Sequence, residues 1–202
     1  MSRIEMGFSV EAKGATPRLV EQVHGREILV LERAGGGFAS PPPADGIVTR
    51  LTGRDIHVFT ADCIPLLFHG PGAVGAIHCG WRGALAGIAS HARMRLSRLT
   101  PGIRVVMGPC ILGCCFEVRP DLITAFESAG RRIGPYLERR DDRIYFHLDR
   151  FVRVEELSDV PDEAFDRSAV RCTHCSFPRL PSYRRDGTTD PRLRAWIRRV
   201  DA

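Results

Sequence analysis

Two histidines and one cysteine, in three separate segments, are the side chains best suited to bind a transition metal. His24 lies in "QVHG", Cys63 lies in "TADCIP", and His78 ends the apolar run "AVGAIH". Two imidazoles and a thiolate form a good ligand set for zinc, and three protein ligands leave a fourth position open for water or substrate. The alternative is that each histidine is an ordinary hydrogen-bonded residue, because the three ligands are dispersed and match no compact metal motif.

The segment after His78, "CGWRG", has the composition of an anion-binding turn. Gly80 and Gly83 allow the backbone to turn tightly into a predicted helix, whose first N–H groups favour an anion. Arg82 adds a planar guanidinium that suits a phosphate or a carboxylate. A surface salt bridge is the alternative for Arg82, and Trp81 either walls a pocket or fills the core.

Strand alternation separates His78 from the cysteine that follows it. Ala76, His78 and Gly80 share one face of the predicted strand, and Ile77 and Cys79 share the other. Small residues on the His78 face leave space beside its imidazole. Cys79 is therefore predicted to be a buried thiol and not a ligand.

Short strands and a few helices are predicted to position these residues. Apolar runs rich in β-branched residues predict strands at "REILVLE", "DGIVTR", "DIHVFTA", "PLLFHG", "AVGAIH", "IRVVMG", "RIYFHL" and "SAVRC". Helices are predicted at "GALAGIASHARMRLSRL" and at "PDLITAFESAGRRIGPYLE", the second with Pro120 at its first position and Asp121 in its first turn. The segment "FVRVEEL" fits either type, and "AGGGFASPPPADG", residues 34–46, has the composition of an exposed loop.

This balance of elements predicts an α+β fold in which mixed β-sheets pack with helices on the outside, in α/β/β/α layers. A chain of 202 residues with 44% hydrophobic content can bury a substantial core. We therefore expect a single domain over residues 1–202.

Charge and cysteine content narrow the functional classes. The net charge is +5, but the arginines are scattered and no nucleic-acid module is recognisable, so no nucleic-acid partner is expected. No segment approaches the ~20 apolar residues of a membrane span, and the N-terminus lacks the apolar stretch of a signal peptide. A cytoplasmic protein without a membrane partner is expected. Its seven cysteines then favour metal binding or nucleophilic chemistry over a disulfide framework.

Six motifs resemble those of the YfiH-like family, described both as multicopper polyphenol oxidoreductases, or laccase-domain proteins, and as purine nucleoside phosphorylases. The motifs are "QVHG", "ADGIVT", "TADCIPLLF", "AIHCGWRG", "GPCILGCCFEV" and "PSYRRDG", which span residues 22–187. The resemblance places the family's metal ligands on His24, Cys63 and His78, in agreement with the residue chemistry. It implies zinc as the cofactor. Copper can occupy the same site, because divalent copper outcompetes zinc at most nitrogen and sulfur sites.

The resemblance also implies an activity. The family's substrates would be purine nucleosides and phosphate, with phosphorolysis of adenosine, inosine, guanosine or methylthioadenosine and deamination of adenosine. Phosphorolysis needs an anion pocket near the ribose, and deamination needs a water whose pKa a metal ion lowers toward neutrality. A monomer or a small homo-oligomer is expected.

Further residue roles follow from the same resemblance. The implied catalytic residues are Cys63, His78, Asp62 and Arg82, with Asp62 orienting a ligand or acting as a base. The implied substrate- and phosphate-binding residues are Gln22, Arg82, Tyr183, Arg184 and Arg185. Compared with the family, the stretch between "GFS" and "QVHG" is short, so the region before residue 22 is expected to be abbreviated.

The oxidase description can be tested on the histidines. Multicopper oxidases bind their trinuclear copper through His-x-His pairs. The seven histidines of this chain, at positions 24, 57, 69, 78, 91, 147 and 174, contain no such pair. Laccase chemistry is therefore not expected.

A metal-free hydrolase is one alternative. Cys63 and His78 would then act as a thiolate and imidazole pair, on an amide or a peptidoglycan-precursor substrate. The family is thought to share its fold with the deamidase domain of cytotoxic necrotizing factor, which uses such a pair. A free-thiol hydrolase would hold no stoichiometric zinc.

A non-catalytic zinc protein is the other alternative. Cys172 and Cys175 form a C-x-x-C pair in "CTHC", and Cys114 with Cys115 could complete a structural zinc site. Against this stands the simpler interpretation of two reduced cysteines near a strand end.

Overall fold

A computed structural model of the chain describes residues 3–33 and 40–201. The strands are β1 (Arg3–Glu11), β2 (Ile28–Leu31), β3 (Gly46–Thr49), β4 (Ile56–Thr60), β5 (Ile64–His69), β6 (Val74–Cys79), β7 (Arg104–Met107), β8 (Glu117–Val118), β9 (Leu137–Arg140), β10 (Arg143–Phe146), β11 (Phe165–Asp166) and β12 (Arg192–Val200). The helices are α1 (Trp81–Leu85), α2 (Ile88–Ser97), α3 (Pro120–Ser128), α4 (Leu148–Phe151) and α5 (Tyr183–Asp186). A π-helical turn, Val152–Glu156, continues α4, and single 3₁₀ turns lie at Gly134–Tyr136 and Asp162–Ala164.

The strands form three sheets. The largest has six strands in the order β11-β7-β5-β6-β3-β2, and the others have the orders β1-β12-β4 and β8-β10-β9. In the large sheet β2 pairs with β3, and β11 with β7, in parallel, whereas the other neighbours are antiparallel. The predicted α+β class with mixed sheets in a single domain is confirmed.

The six-stranded sheet is buried on both faces. On β6, Ile77 and Cys79 belong to the core shared with α2, whereas Val74 and Ala76 belong to the core under the β1-β12-β4 sheet. Strands that are covered on both sides need continuous apolar sequence, which explains the unbroken runs of β5 and β6. The predicted alternation along β6 is confirmed, and Cys79 is a buried thiol.

The predicted elements were wrong at three places. "SAVRC" is not a strand, because a turn closes between Arg167 and Val170 and Cys172 makes only an isolated bridge to Cys110. The first predicted helix divides into α1 and α2 at Gly87, whose φ of +78° is left-handed. The second ends at Ser128, and its last four predicted residues, 135–138, belong to a 3₁₀ turn and to β9.

Two further predictions, the start of α3 and the structure of "FVRVEEL", can be compared with the structure. Pro120 and Asp121 do lie in the first turn of α3, and "FVRVEEL" is helical. Part of the loop predicted over residues 34–46, namely 34–39, lies outside the described residues. None of the helices in the described ranges has the length and apolar character required to cross a membrane.

Two long strands were not predicted. β1 and β12 pair antiparallel along their full lengths, from Arg3 opposite Val200 to Glu11 opposite Arg192. The signal was present, because β12 reads "RLRAWIRRV", in which apolar residues alternate with arginines and the apolar face is buried. The high arginine content concealed this period of two.

Candidate active site

His24, Cys63 and His78 come together beside the end of β6. Their candidate ligand atoms all lie within 4.8 Å of one another. The two imidazole rings meet edge to face, with centroids 4.9 Å apart. Cys63 lies in the turn between β4 and β5, His78 lies on β6, and His24 lies in the loop before β2. Three segments that are distant in sequence thus converge on one point.

Asp45, which the sequence analysis did not single out, organises this cluster. Its carboxylate accepts a hydrogen bond from Nδ1 of His78 at 2.8 Å. It also accepts the backbone N–H groups of Val23, His24 and Gly25 at 3.2, 2.9 and 2.6 Å. Because Nδ1 of His78 is engaged, Nε2 is the nitrogen left for a ligand bond, as in carboxylate–histidine–metal arrangements.

The same carboxylate fixes the loop of His24. His24 has a φ of +60°, a left-handed conformation that a non-glycine residue adopts only when its surroundings impose it. The three N–H groups around it all point to the fully buried Asp45. Asp45 stands in the "ADGIVT" motif directly before β3, and that position was the only signal by which it could have been found.

Gly80 is required by the close approach of the ligands. A Cβ atom at this position would lie 2.9 Å from Sγ of Cys63 and 3.2 Å from Cδ2 of His24. Any side chain here would push the cysteine and the histidine apart. The prediction that small residues make space beside His78 is confirmed at this position.

Electrostatics favour a charged pair when no ion is present. Burial raises the pKa of Cys63, but the His78 and His24 imidazoles outweigh that effect and lower it to about 6. Burial lowers the pKa of His78, but the Cys63 sulfur and the hydrogen bond to Asp45 outweigh it and raise the pKa to about 9. A thiolate beside two imidazoles, one of them oriented by a carboxylate, is a donor set that fits zinc.

A cavity of about 550 Å³ opens beside the three ligands. Four arginines border it: Arg18, Arg82, Arg184 and Arg192. Its apolar and aromatic lining is formed by Phe59, Trp81, Ile111, Phe116, Leu148 and Tyr183. Such a cavity suits a ligand that combines a flat apolar group with an anion.

Most of the predicted binding residues reach this cavity. Arg82 lines it, and its guanidinium lies over the Trp81 ring, 4.2 Å from the centroid. Tyr183 is exposed beside the cavity, and Arg184 lines it while donating to the carbonyl of Glu117 at 2.8 Å. Trp81 therefore serves as a pocket wall.

Gln22 also lines the cavity, but its amide is already used. Its Nε2 donates to the carbonyl of Phe59 at 2.8 Å, and its Oε1 accepts the N–H of Phe59 at 2.9 Å. This pairing ties the loop that carries His24 to β4. Gln22 thus contributes to the site by holding the His24 loop in place.

Arg185 lies outside the residues that line the cavity. Its guanidinium donates to the carbonyls of Thr173, His174 and Leu180 at 3.0, 2.9 and 2.7 Å, and it pairs with Asp186 at 2.7 Å. The predicted phosphate contact of Arg185 stays a prediction, and these contacts favour a structural role for the residue. Its side chain holds the turn of the "CTHC" segment.

Asp62 lines the cavity, yet both of its carboxylate oxygens have donors. One accepts the hydroxyl of Thr173 at 2.6 Å, and the other accepts the backbone N–H of Arg184 at 2.6 Å. The residue adopts a left-handed φ of +93° directly before Cys63. These contacts favour the orienting role over the role of a base.

The four cysteines of the non-catalytic alternative also converge. The sulfur atoms of Cys114, Cys115, Cys172 and Cys175 lie within 4.8 Å of one another. Among the residues that the structure describes, this four-cysteine cluster and the His24–Cys63–His78 site are the two groups arranged to hold a metal ion.

Comparisons with known proteins identify a family and several relatives. Residues 4–199 match the family described as multi-copper polyphenol oxidoreductase laccase. A purine nucleoside phosphorylase of Aquifex aeolicus is 35% identical over 76% of this chain and 71% of its own length. An adenosine deaminase, RL5, of an unknown prokaryotic organism is 32% identical over 66% of this chain and 55% of its own length.

A solved structure is also similar. The purine nucleoside phosphorylase YlmD of Geobacillus stearothermophilus is 31% identical over 89% of this chain and 70% of its own length. Its crystal structure superposes with a TM-score of 0.74, covering 91% of this chain and 73% of that one. The fold and the sequence therefore point to the same family.

Proposed function

Because the chain belongs to the YfiH-like, laccase-domain family, we propose that it is a zinc-dependent purine nucleoside phosphorylase that also deaminates adenosine. The observation that carries this proposal is the cavity itself. It joins a three-ligand cluster, an aromatic lining and four arginines within about 550 Å³. The names of the relatives support the same reaction class.

His24, Cys63 and His78 would hold the zinc ion. When bound there, zinc would supply a Lewis acid on the side of the cluster that faces the cavity. Asp45 orients His78 through Nδ1 and increases its basicity as a ligand. Gly80 keeps the three donor atoms close together.

The cavity lining would bind the nucleoside and the phosphate at different places. Trp81, Phe116 and Tyr183 offer flat surfaces for a purine. Arg82 and Arg184 offer guanidinium groups for phosphate. In phosphorolysis a phosphate oxygen bonds to C1′ of the ribose while the bond from C1′ to the purine nitrogen breaks, and the purine takes up a proton. Holding phosphate against the ribose is therefore the main contribution of the arginines.

Substrate turnover tests the proposal directly. The metal-analysed protein is incubated with adenosine and with inosine, each with and without phosphate, and the products are identified. We expect free purine and ribose 1-phosphate only when phosphate is present, and inosine from adenosine in either case. His91→Ala, a histidine on α2 outside the cavity lining, serves as the matched control for His24→Ala. No product from any nucleoside would overturn the proposal.

One observation favours a second candidate, the metal-free hydrolase. Cys63, with a pKa of about 6, lies beside His78, which Asp45 orients in turn, and this is the arrangement of a cysteine nucleophile with its base. The thiolate would attack an amide carbon and form a thioester while the C–N bond breaks and ammonia leaves with a proton from His78; water, giving a proton to His78, would then cleave the thioester to the acid and restore the thiolate. This candidate predicts amide hydrolysis by zinc-free protein and inactivation when Cys63 is alkylated. Retention of activity only in zinc-loaded protein would exclude it.

A further inference from the structure

The four-cysteine cluster, formed by Cys114, Cys115, Cys172 and Cys175, has the dimensions of a metal site. All four sulfurs lie within 4.8 Å of one another, and those of Cys114 and Cys175 are 3.7 Å apart. In a zinc tetrathiolate with Zn–S distances of about 2.3 Å, tetrahedral geometry places neighbouring sulfurs roughly 3.8 Å apart. The Cys114–Cys175 pair thus already stands at the spacing that a tetrahedral ion imposes, and the other sulfur pairs are at most about 1 Å wider.

The first pair of cysteines is held by a rigid turn. The N–H of Cys115 donates to the carbonyl of Leu112 at 2.8 Å, and Arg140 donates to the carbonyls of Gly113 and Cys114 at 2.7 and 3.1 Å. A Cβ atom at Gly113 would lie 2.4 Å from the ring of His147, so only glycine fits there. The backbone fixes the two thiols without help from an ion.

The second pair is held as firmly. The backbone of Cys172 forms an isolated β-bridge with that of Cys110. The N–H of Ser176 donates to the carbonyl of Cys172 at 3.0 Å, which closes the C-x-x-C turn. Arg185 binds the carbonyls of Thr173 and His174 within that turn. This accounts for the arginine that does not reach the cavity.

We propose that Cys114, Cys115, Cys172 and Cys175 bind a second metal ion, zinc by the chemistry of the donors, in a closed structural site. Four thiolates complete the tetrahedral shell of zinc and leave no position for a substrate. None of the four cysteines lines the cavity beside His78. The inference does not depend on nucleoside chemistry, because the site would bind its ion whatever reaction the cavity performs.

The ion would tie together two chain segments that support the cavity. Thr173, between two of the cysteines, donates its hydroxyl to Asp62, and Asp62 accepts the N–H of Arg184. Asp62 in turn precedes Cys63 in the other cluster. Losing the structural ion would therefore loosen the wall that carries Tyr183 and Arg184.

Metal stoichiometry of the full chain tests the inference. The protein is purified under reducing conditions, and its zinc content per chain is measured by inductively coupled plasma mass spectrometry. We expect two ions per chain in the native protein, one in Cys172→Ser/Cys175→Ser and one in His24→Ala/His78→Ala. Cys110→Ala, which removes a buried cysteine that belongs to neither cluster, should keep two. A single ion in the native protein that persists in Cys172→Ser/Cys175→Ser would overturn the proposal.

A second measurement needs no variant and so does not depend on folding of the mutants. Cys114 and Cys175 are exposed, so an alkylating reagent should modify them at once unless a metal holds them. We expect both to be protected in the native protein and to react after a chelator is added, as located by peptide mass spectrometry. Immediate alkylation, or a Cys114–Cys175 disulfide in protein kept under reducing conditions, would contradict the proposal.

Discussion

The two clusters differ in their donors and in their surroundings: one combines two imidazoles with a cysteine, and the other has four cysteines. At the His24–Cys63–His78 site three donors face a cavity of about 550 Å³, and a buried carboxylate orients one of them. At the four-cysteine cluster two rigid turns bring four donors together, and none of them lines that cavity. If both clusters bind zinc as proposed, the number of ligands and the space beside them would separate a site for chemistry from a site for stability.

The two regions are nevertheless connected. Asp62 bonds to Thr173 between Cys172 and Cys175, and its chain neighbour is Cys63. A change at one cluster should therefore reach the other in attenuated form. The predictions below test how far the two clusters can be separated.

The largest expected effect on activity comes from removing a ligand at the His24–Cys63–His78 site. His78→Ala should lower the rate of phosphorolysis by about 10³-fold or more, because Lewis-acid stabilisation is worth several kcal/mol. The melting temperature should fall much less than the activity. Steady-state kinetics and calorimetry on the same preparation check this, with His91→Ala as the control. Near-native activity in His78→Ala would erase the distinction between the two clusters.

Removing ligands at the four-cysteine cluster should lower stability more than activity. Cys172→Ser/Cys175→Ser should lower the melting temperature by about 10 °C, equivalent to roughly 3–4 kcal/mol for a chain of this size. Its activity should fall only several-fold, through the looser Asp62. Calorimetry and kinetics measure both quantities. A variant with unchanged stability and no activity would reverse the assignment of the two sites.

Glu156, a buried carboxyl outside both clusters, has a pKa that is raised mainly by burial. Glu156 accepts the N–H groups of Ala89 and Ser90 at the start of α2, and burial, only partly offset by these bonds and by Arg131, raises its pKa to about 7. Between pH 4.5 and 7 the folded protein holds a proton that the unfolded chain releases. This contribution to stability is complete below pH 4.5 and is lost as the pH rises through 7.

Glu156→Gln removes that titration. The free energy of unfolding of the native protein, relative to that of Glu156→Gln, should therefore decrease by about 2–3 kcal/mol between pH 4.5 and pH 8. Urea denaturation across this range measures the difference. A constant difference between the two proteins would show that Glu156 ionises normally.

Asp45→Asn tests the group behind the open site. The amide oxygen can keep the two contacts of one carboxylate oxygen, but the side chain loses the charge that orients His78, so the affinity for zinc should fall by about 10- to 100-fold. Competition with a chelator measures the affinity. Asp55→Asn, which affects ion pairs to Arg194 and Arg198, is the matched control. Equal affinities in the two variants would remove Asp45 from the site.

The smallest effect is expected at the anion-binding residues. Arg82→Ala should raise KM for phosphate by about tenfold, the equivalent of about 1.4 kcal/mol, and leave KM for the nucleoside nearly unchanged. Arg185→Ala should leave KM for phosphate unchanged and lower the melting temperature, because its guanidinium holds the "CTHC" turn. An increase in KM for phosphate in Arg185→Ala would support the original prediction for this residue.

The apolar runs were sufficient to predict the central strands, whereas the His24–Cys63–His78 site was predicted from residue chemistry together with the family resemblance. β5 and β6 were predicted because a strand covered on both faces needs unbroken apolar sequence, and the three ligands followed from their donor atoms. Asp45 was missed because its contacts are with residues 20 to 33 positions away, and its place in the "ADGIVT" motif does not by itself reveal them.

Tertiary structure decided the remaining points. The sequence offered Cys114, Cys115, Cys172 and Cys175 as a possible zinc site. Their convergence depends on tertiary structure, including the backbone β-bridge between Cys110 and Cys172. The helix predicted across residues 83–99 divides at Gly87, where a left-handed residue stands before α2. Arg185 could not be separated from Arg184 by sequence, because only the direction of α5 sends one guanidinium toward the cavity and the other toward the "CTHC" turn.

The pairing of β1 with β12 sets an order of events during synthesis on the ribosome. β1 is made some 180 residues before β12, its partner along the whole strand. Until β12 arrives, the core that includes Leu67 and Ala76 lacks Ala195 and Ile197, and the cavity lacks Arg192. A nascent chain with such surface exposed is prone to associate wrongly, so its interval of risk ends only when the last strand closes the sheet.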